Sequence, residues 1–151
     1  MKEPTDEERA RLSGSVMRVF VNIVKRWDLP ERRQLQLLGC RQREFHRWVR
    51  LSRWHKPLVL ETDTMMRISA ILGVFAGLRQ LVNTAEEERR WLLRPIEAEP
   101  FAGQAPIELL CVSFERQMDV RQCLAGVVRH IAPNEADENF RPYTVDDIKW
   151  H

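Results

Sequence analysis

The sequence predicts an all-α protein built as a helical bundle. Apolar residues recur at the three- and four-residue spacing of a helix over most of the 151 residues, and no segment alternates as a half-buried strand does. Glycine and proline separate these periodic segments. A hydrophobic content of 44% with 30% charged residues is ordinary for a globular domain, and the chain is long enough to bury a core.

The first helix is predicted over residues 6 to 27. Thr5 and Glu8 have the spacing of a capping box, in which each side chain accepts a hydrogen bond from the other's backbone N–H. Pro30 then predicts a short second helix ending near Leu38, and Gly39 stops it because glycine tolerates the left-handed conformation. A third helix is expected over about residues 41 to 51.

The second and third helices with their glycine turn have the outline of a helix-turn-helix. The inward faces are expected to carry Leu35, Leu38, Phe45, Trp48 and Val49. Lys25 to Lys56 has a net charge of +7, so this middle region suits nucleic acid. The residues predicted to face outward and bind DNA are Arg41, Gln42, Arg43, His46, Arg47 and Arg50. The alternative is a solvated arginine-rich face, because the chain has 20 Arg and 4 Lys.

The remaining helices are expected after the break at Pro57. Thr62 or Asp63 is predicted to cap a fourth helix, and a charged helix follows over residues 84 to 93, with Glu86 to Glu88 on a solvated face. Pro106 begins another helix, and the last extends to Ile131. The apolar stripe of the fourth helix comprises Ile68, Ile71, Leu72, Phe75, Leu78 and Val82.

The stretch "WLLRPIEAEPFAGQAPIELL" at 91 to 110 predicts a rigid elbow between two helices. Its three prolines fix the backbone, and Gly103 permits a conformation that a side chain would obstruct. Its large apolar residues are expected in the core first and at a contact surface second: Trp91, Phe101, Leu109 and Leu110.

The sequence from 132 to 151 is an acidic tail with a net charge of −3. Tyr143, Asp146, Asp147 and Trp150 could enter a partner's binding site, and the alternatives are a tail that packs on its own domain or stays disordered. The predicted organisation is a helix-turn-helix module at 1–57, a helical domain at 58–131 and this tail.

Several of these motifs together resemble the Xre/MbcA/ParS-type antitoxin family. The motifs are Trp91-Leu92, Pro95, Phe101, Gly103 and Pro106 with Leu109-Leu110, flanked by "RISAILGVFAGLRQLV", "MDVRQCLAGV" and the arginine-rich module. They cover about residues 26 to 131. Ile96 and Ala102 stand where family members often have asparagine and glycine.

The resemblance implies a type II antitoxin that blocks the NAD-binding cleft of a RES-type toxin encoded beside it. It also implies a homodimer that binds operator DNA and represses its own operon. The toxin-binding residues would be Phe101, Gly103 and Gln104 with the four tail residues named above. A stand-alone transcriptional regulator without a toxin is the alternative.

No catalytic activity, metal site or cofactor is expected. The four histidines lack partners at metal-ligand spacing, and the sequence has no glycine-rich phosphate loop and no nucleophile elbow. No apolar run approaches the length of a membrane span, and the polar N-terminus is unlike a signal peptide. These features, with three unpaired cysteines, predict a cytoplasmic protein.

Overall fold

The computed structural model describes residues 3–131, and within them every regular element is an α-helix. The all-α prediction is therefore confirmed. In chain order the helices are α1 (Asp6–Arg26), α2 (Glu31–Leu38), α3 (Gln42–Arg53), α4 (Thr62–Leu81), α5 (Ala85–Leu93), α6 (Pro106–Leu110) and α7 (Phe114–Ile131).

Most helix ends agree with the sequence signals. The Thr5 hydroxyl accepts a bond from the Glu8 N–H at 3.2 Å, and the Glu8 carboxylate accepts from the Thr5 N–H at 3.4 Å, which confirms the capping box. Pro30 is the N-cap of α2 and not its first helical residue. The predicted cap of α4 is wrong: the helix already includes Thr62, and the Glu61 carbonyl accepts the first bond, from Met65 N–H.

The chain divides into two compact units between Ser69 and Ala70, a position inside α4. The module, domain and tail predicted from the sequence, 1–57, 58–131 and 132–151, stay predictions. Across residues 3–131 no single helix is both long and apolar enough to cross a membrane. Helices α4 and α5 reach that requirement only as a pair, and the chain bends by 116° between them.

The first unit is built around the contact of α1 with α3. Phe20 meets Phe45 edge-to-face, with ring centroids 6.4 Å apart. The fully buried Ser13 hydroxyl accepts a bond from the Leu60 N–H at 2.9 Å, and Arg18 donates to the Ser52 carbonyl at 2.8 Å. The Ser13 bond thus ties the segment after α3 to α1 out of contact with water, and the part-buried Arg18 bond joins α1 to the last turn of α3.

In the second unit α6 packs against α5 and α7, and glycines of α4 meet side chains of α7. A Cβ at Gly73 would lie 2.3 Å from Arg121 Nε, and one at Gly77 would lie 3.0 Å from Leu124 Cβ. The predicted apolar stripe of α4 is buried except for the partly exposed Val82. Glu88, by contrast, is fully buried, so the prediction that Glu86 to Glu88 share a solvated face is wrong for it.

Candidate functional site

The turn between α2 and α3 is closed by Gly39 in the left-handed conformation, with φ 63° and ψ 36°. The Gly39 and Cys40 N–H groups donate back to carbonyls of the last turn of α2. The Arg67 guanidinium lies over this turn, 3.0 Å from where a Cβ of residue 39 would be. The backbone angle therefore favours glycine here, and a Cβ would in addition require the Arg67 guanidinium to shift.

The inner side of the module agrees with the predicted pattern. Leu38, Phe45 and Trp48 are buried, while Leu35 and Val49 are partly exposed. Because Phe45 and Trp48 are three residues apart on α3, they share one face and fix which side of the helix is left to solvent. The apolar residues therefore determine how α3 is rotated about its own axis.

All six residues predicted to bind DNA are exposed: Arg41, Gln42, Arg43, His46, Arg47 and Arg50. Within residues 3–131, the side chains of Arg41, Arg43, Arg47 and Arg50 make no hydrogen bond or ion pair. Arg43, Arg47 and Arg50 share one exposed face of α3, and Arg41 is its N-cap. Each of the four guanidinium groups can pair with a phosphate or with the acceptor edge of guanine.

The other two of the six share a partner that the sequence analysis did not name. Glu31, the first residue of α2, accepts a bond from Gln42 Nε2 at 2.8 Å on one carboxylate oxygen and contacts His46 Nε2 with the other. Hydrogen bonds from His46 and then Gln42 lower the pKa of Glu31 below its ordinary value. Glu31 is far from both residues in sequence, so only the fold brings them together.

A cleft of about 380 Å³ opens beside this surface, between α1, α2 and α3. Its apolar lining comprises Val21, Val24, Phe45, Val49 and Trp54, and Lys25, Arg50 and Arg53 add positive charge. Trp54 at the end of α3 is 67% exposed. Trp54 was not among the predicted site residues, because helical periodicity does not assign a residue at the end of a helix to a face.

The elbow, residues 94 to 105, is closed by its own backbone. The Ile96 N–H donates to the Gln104 carbonyl at 3.2 Å, and the Gly103 N–H donates to the Ile96 carbonyl at 2.8 Å. Ala102 and Gly103 both have positive φ, 48° and 89°. Ala102 thus adopts a backbone conformation that favours glycine.

The predicted toxin-binding residues of the elbow divide into one buried side chain and two accessible positions. Phe101 is 2% exposed and meets Trp91 edge-to-face, with ring centroids 5.9 Å apart. Gln104 is exposed and Gly103 partly so. Phe101 therefore holds the elbow from inside, and the surface available to a partner consists of the residues around it.

The exposed apolar side chains of the second unit include two at helix ends. Leu93, at the end of α5, is 59% exposed, and Val112, after α6, is 68% exposed. Neither was among the predicted site residues, because helical periodicity does not assign residues at helix ends to a face. The predicted tail residues Tyr143, Asp146, Asp147 and Trp150 lie outside the described residues.

Comparison with known proteins found one weak relative. The chain is similar to the "Uncharacterized protein y4oB" of Sinorhizobium fredii (strain NBRC 101917 / NGR234), with 32% identity over 80 residues. The matched region is 52% of this chain and 58% of that relative, so the chain spans less than two thirds of the relative's length. No model of a protein family matches the chain, and no solved structure does.

Proposed function

We propose that this protein is a cytoplasmic type II antitoxin that binds a RES-type toxin, blocks its NAD-binding cleft and represses its own operon by binding DNA as a homodimer. The toxin partner and the homodimer are inferred from the resemblance of the elbow and its flanking helices to the Xre/MbcA/ParS-type family. The observation that carries the DNA-binding part is the exposed cationic surface of α3, held against a glycine-closed turn.

DNA binding is tested by reversing Arg43 and Arg47 to glutamate. Both residues are exposed and one helical turn apart, so the double variant places negative charge where phosphates would lie. We expect at least a hundredfold weaker binding to a fragment of the protein's own upstream region. The control is R11E/R129E, which makes the same change of charge at two exposed arginines of α1 and α7.

The wild-type protein should also bind that fragment less tightly as salt rises, because phosphate contacts release counterions. If wild type shows no salt-dependent binding, or if the control loses as much affinity as R43E/R47E, DNA binding through α3 is refuted.

Toxin binding is supported by the form of the elbow. A closed backbone loses little conformational freedom when a partner docks. The second unit also exposes polar Gln104 and apolar Leu93 and Val112, the two kinds of side chain that interfaces combine. The test is co-expression with the product of the adjacent gene, followed by affinity purification and an assay of NAD consumption. A stable complex with suppressed NAD consumption supports the proposal, and separate elution of the two proteins refutes it.

The tail is proposed to enter the toxin's active site. Deletion of residues 134–151 should then restore toxin activity in cells while the complex persists through the elbow. Continued protection by the shortened chain would refute a role for the tail.

The second candidate function is a transcriptional regulator without a toxin. The exposed arginines of α3 favour it equally, since they concern DNA alone. The genomic neighbourhood separates the two: an adjacent gene for a small RES-type protein supports the antitoxin, and its absence favours the regulator.

A further inference from the structure

The contact of Glu31 with α3 has a consequence for base recognition, and it rests on the proposed DNA binding. Gln42 is the first residue of α3, and the N-terminal residues of a recognition helix are those that reach base edges. Gln42 donates to one oxygen of Glu31 at 2.8 Å, and His46, one turn later, contacts the other oxygen. One carboxylate thus holds two of the six exposed residues.

The chemistry of this contact fixes the orientation of the Gln42 amide. An ionised carboxylate only accepts hydrogen bonds, so the amide nitrogen of Gln42 and a ring N–H of His46 must face Glu31. The amide then retains one N–H and its carbonyl oxygen for another partner. The lowered pKa of Glu31 agrees with this, because both hydrogen bonds favour the ionised form.

The hydrogen-bonding groups that remain available on Gln42 match one base. In the major groove adenine presents a donor at N6 and an acceptor at N7, which pair with the oxygen and the N–H of one amide. Guanine presents two acceptors there, and an amide that is free to rotate can offer it both N–H groups. Where Glu31 holds the N–H trans to the amide oxygen, the remaining N–H and the oxygen point the same way and still pair with adenine, whereas guanine loses one of its two bonds.

We infer that Glu31 is a positioning residue for DNA recognition: it clamps Gln42 so that this side chain selects adenine at one position of each half-site. Glu31 does not contact the base. His46 serves the clamp by fixing the second carboxylate oxygen, so that the carboxylate cannot rotate away from Gln42.

The experiment is selection from a randomised duplex DNA library with the full-length protein and its variants. Wild type should select adenine at one position of each half-site. E31A should lower the preference for adenine at that position about tenfold, the scale of one bidentate base contact. Its affinity for unselected duplex should stay equal or rise, because a negative charge has been removed from a cationic surface.

Glu44 provides a matched control. It is an exposed carboxylate on α3, so E44A removes the same charge from the same surface while the clamp stays intact. E44A should keep the wild-type preference. Q42A should lose it, and E31A/Q42A should match Q42A alone, because the clamp acts only through Gln42.

Each outcome separates the clamp from DNA binding itself. If E31A keeps the adenine preference, or if E44A loses it equally, the clamp is refuted. Salt-dependent duplex binding without any adenine preference in wild type refutes the clamp and leaves DNA binding standing. Absence of duplex binding refutes both. Should E31A fail to melt like wild type, E31Q replaces it: its amide can donate as well as accept, so the orientation of Gln42 is no longer fixed and the adenine preference should fall. An unchanged preference in E31Q would refute the clamp.

Discussion

In the α2–α3 module the candidate residues are exposed, whereas in the elbow the largest candidate side chain, Phe101, is buried. In the module the groups that could bind a partner are side chains, and the backbone contributes only the turn between the two helices. The elbow uses a buried aromatic pair and backbone hydrogen bonds to hold a shape, and its accessible surface is a by-product of that shape. Substitution of the exposed candidate residues in the module should therefore weaken the proposed binding and leave stability unchanged. Substitution of Phe101 in the elbow should lower stability, and binding only as a result.

The strongest test of this difference is the pair F101A and Q104A. Removing the buried phenyl ring should lower the free energy of unfolding by about 3–5 kcal/mol, because it leaves a cavity beside Trp91. Q104A removes an exposed side chain and should change stability by no more than about 0.5 kcal/mol. Denaturant unfolding measures both, and equal losses would show that the elbow is not supported from inside.

In the module the most sensitive position for stability is the turn itself. G39A should cost about 1–2 kcal/mol, because alanine resists the left-handed conformation at φ 63°. G39N adds the same Cβ against Arg67 but tolerates that conformation better, so it should cost less. Thermal unfolding of the two variants separates the backbone effect from the crowding, and identical losses would assign the effect to crowding alone.

A smaller effect is expected where α4 meets α7. G73A should destabilise by about 1 kcal/mol, because displacing Arg121 outweighs the gain in helix propensity. G126A is the control: a Cβ there meets nothing within 4 Å, so it should stabilise by up to about 1 kcal/mol. Adding R121A to G73A should recover stability, and failure to do so would place the cost elsewhere.

The smallest effect concerns pH. Because the pKa of Glu31 is lowered in the folded protein, its contact with Gln42 and His46 stabilises the fold fully above the ordinary value of 4.5 and is lost as pH falls through the lowered pKa. NMR titration of the Glu31 carboxyl should give a midpoint below 4.5, and Q42A should raise it. A midpoint unchanged by Q42A would contradict the hydrogen bond.

The sequence predicted the helices well because periodicity, caps and prolines are local signals. Thr5, Gly39 and Pro106 mark helix ends as expected, and Phe45 with Trp48 correctly predicted the inner face of α3. Glu88 could not be assigned in the same way. Consecutive residues point about 100° apart on a helix, so three adjacent carboxylates cannot share one face, and which one is buried depends on packing.

The parts of the site that escaped prediction depend on contacts between elements. Glu31 meets Gln42 and His46 only because α2 and α3 fold together, and Arg67 covers Gly39 from another helix. Nothing in the spacing of these residues indicates either contact. The exposed candidates on α3 could be named from sequence, while the residue that orients two of them could not.

The self-closed elbow leaves three consecutive positions, Glu97, Ala98 and Glu99, exposed at its tip. The bonds that join Ile96 to Gly103 and Gln104 involve main-chain atoms, so they make no demand on which side chains occupy the tip. Such a loop can exchange its outer residues while the scaffold persists. Under the proposed toxin binding, divergence at these three positions would change which partner is accepted, and the same tip is a place to graft a new recognition peptide.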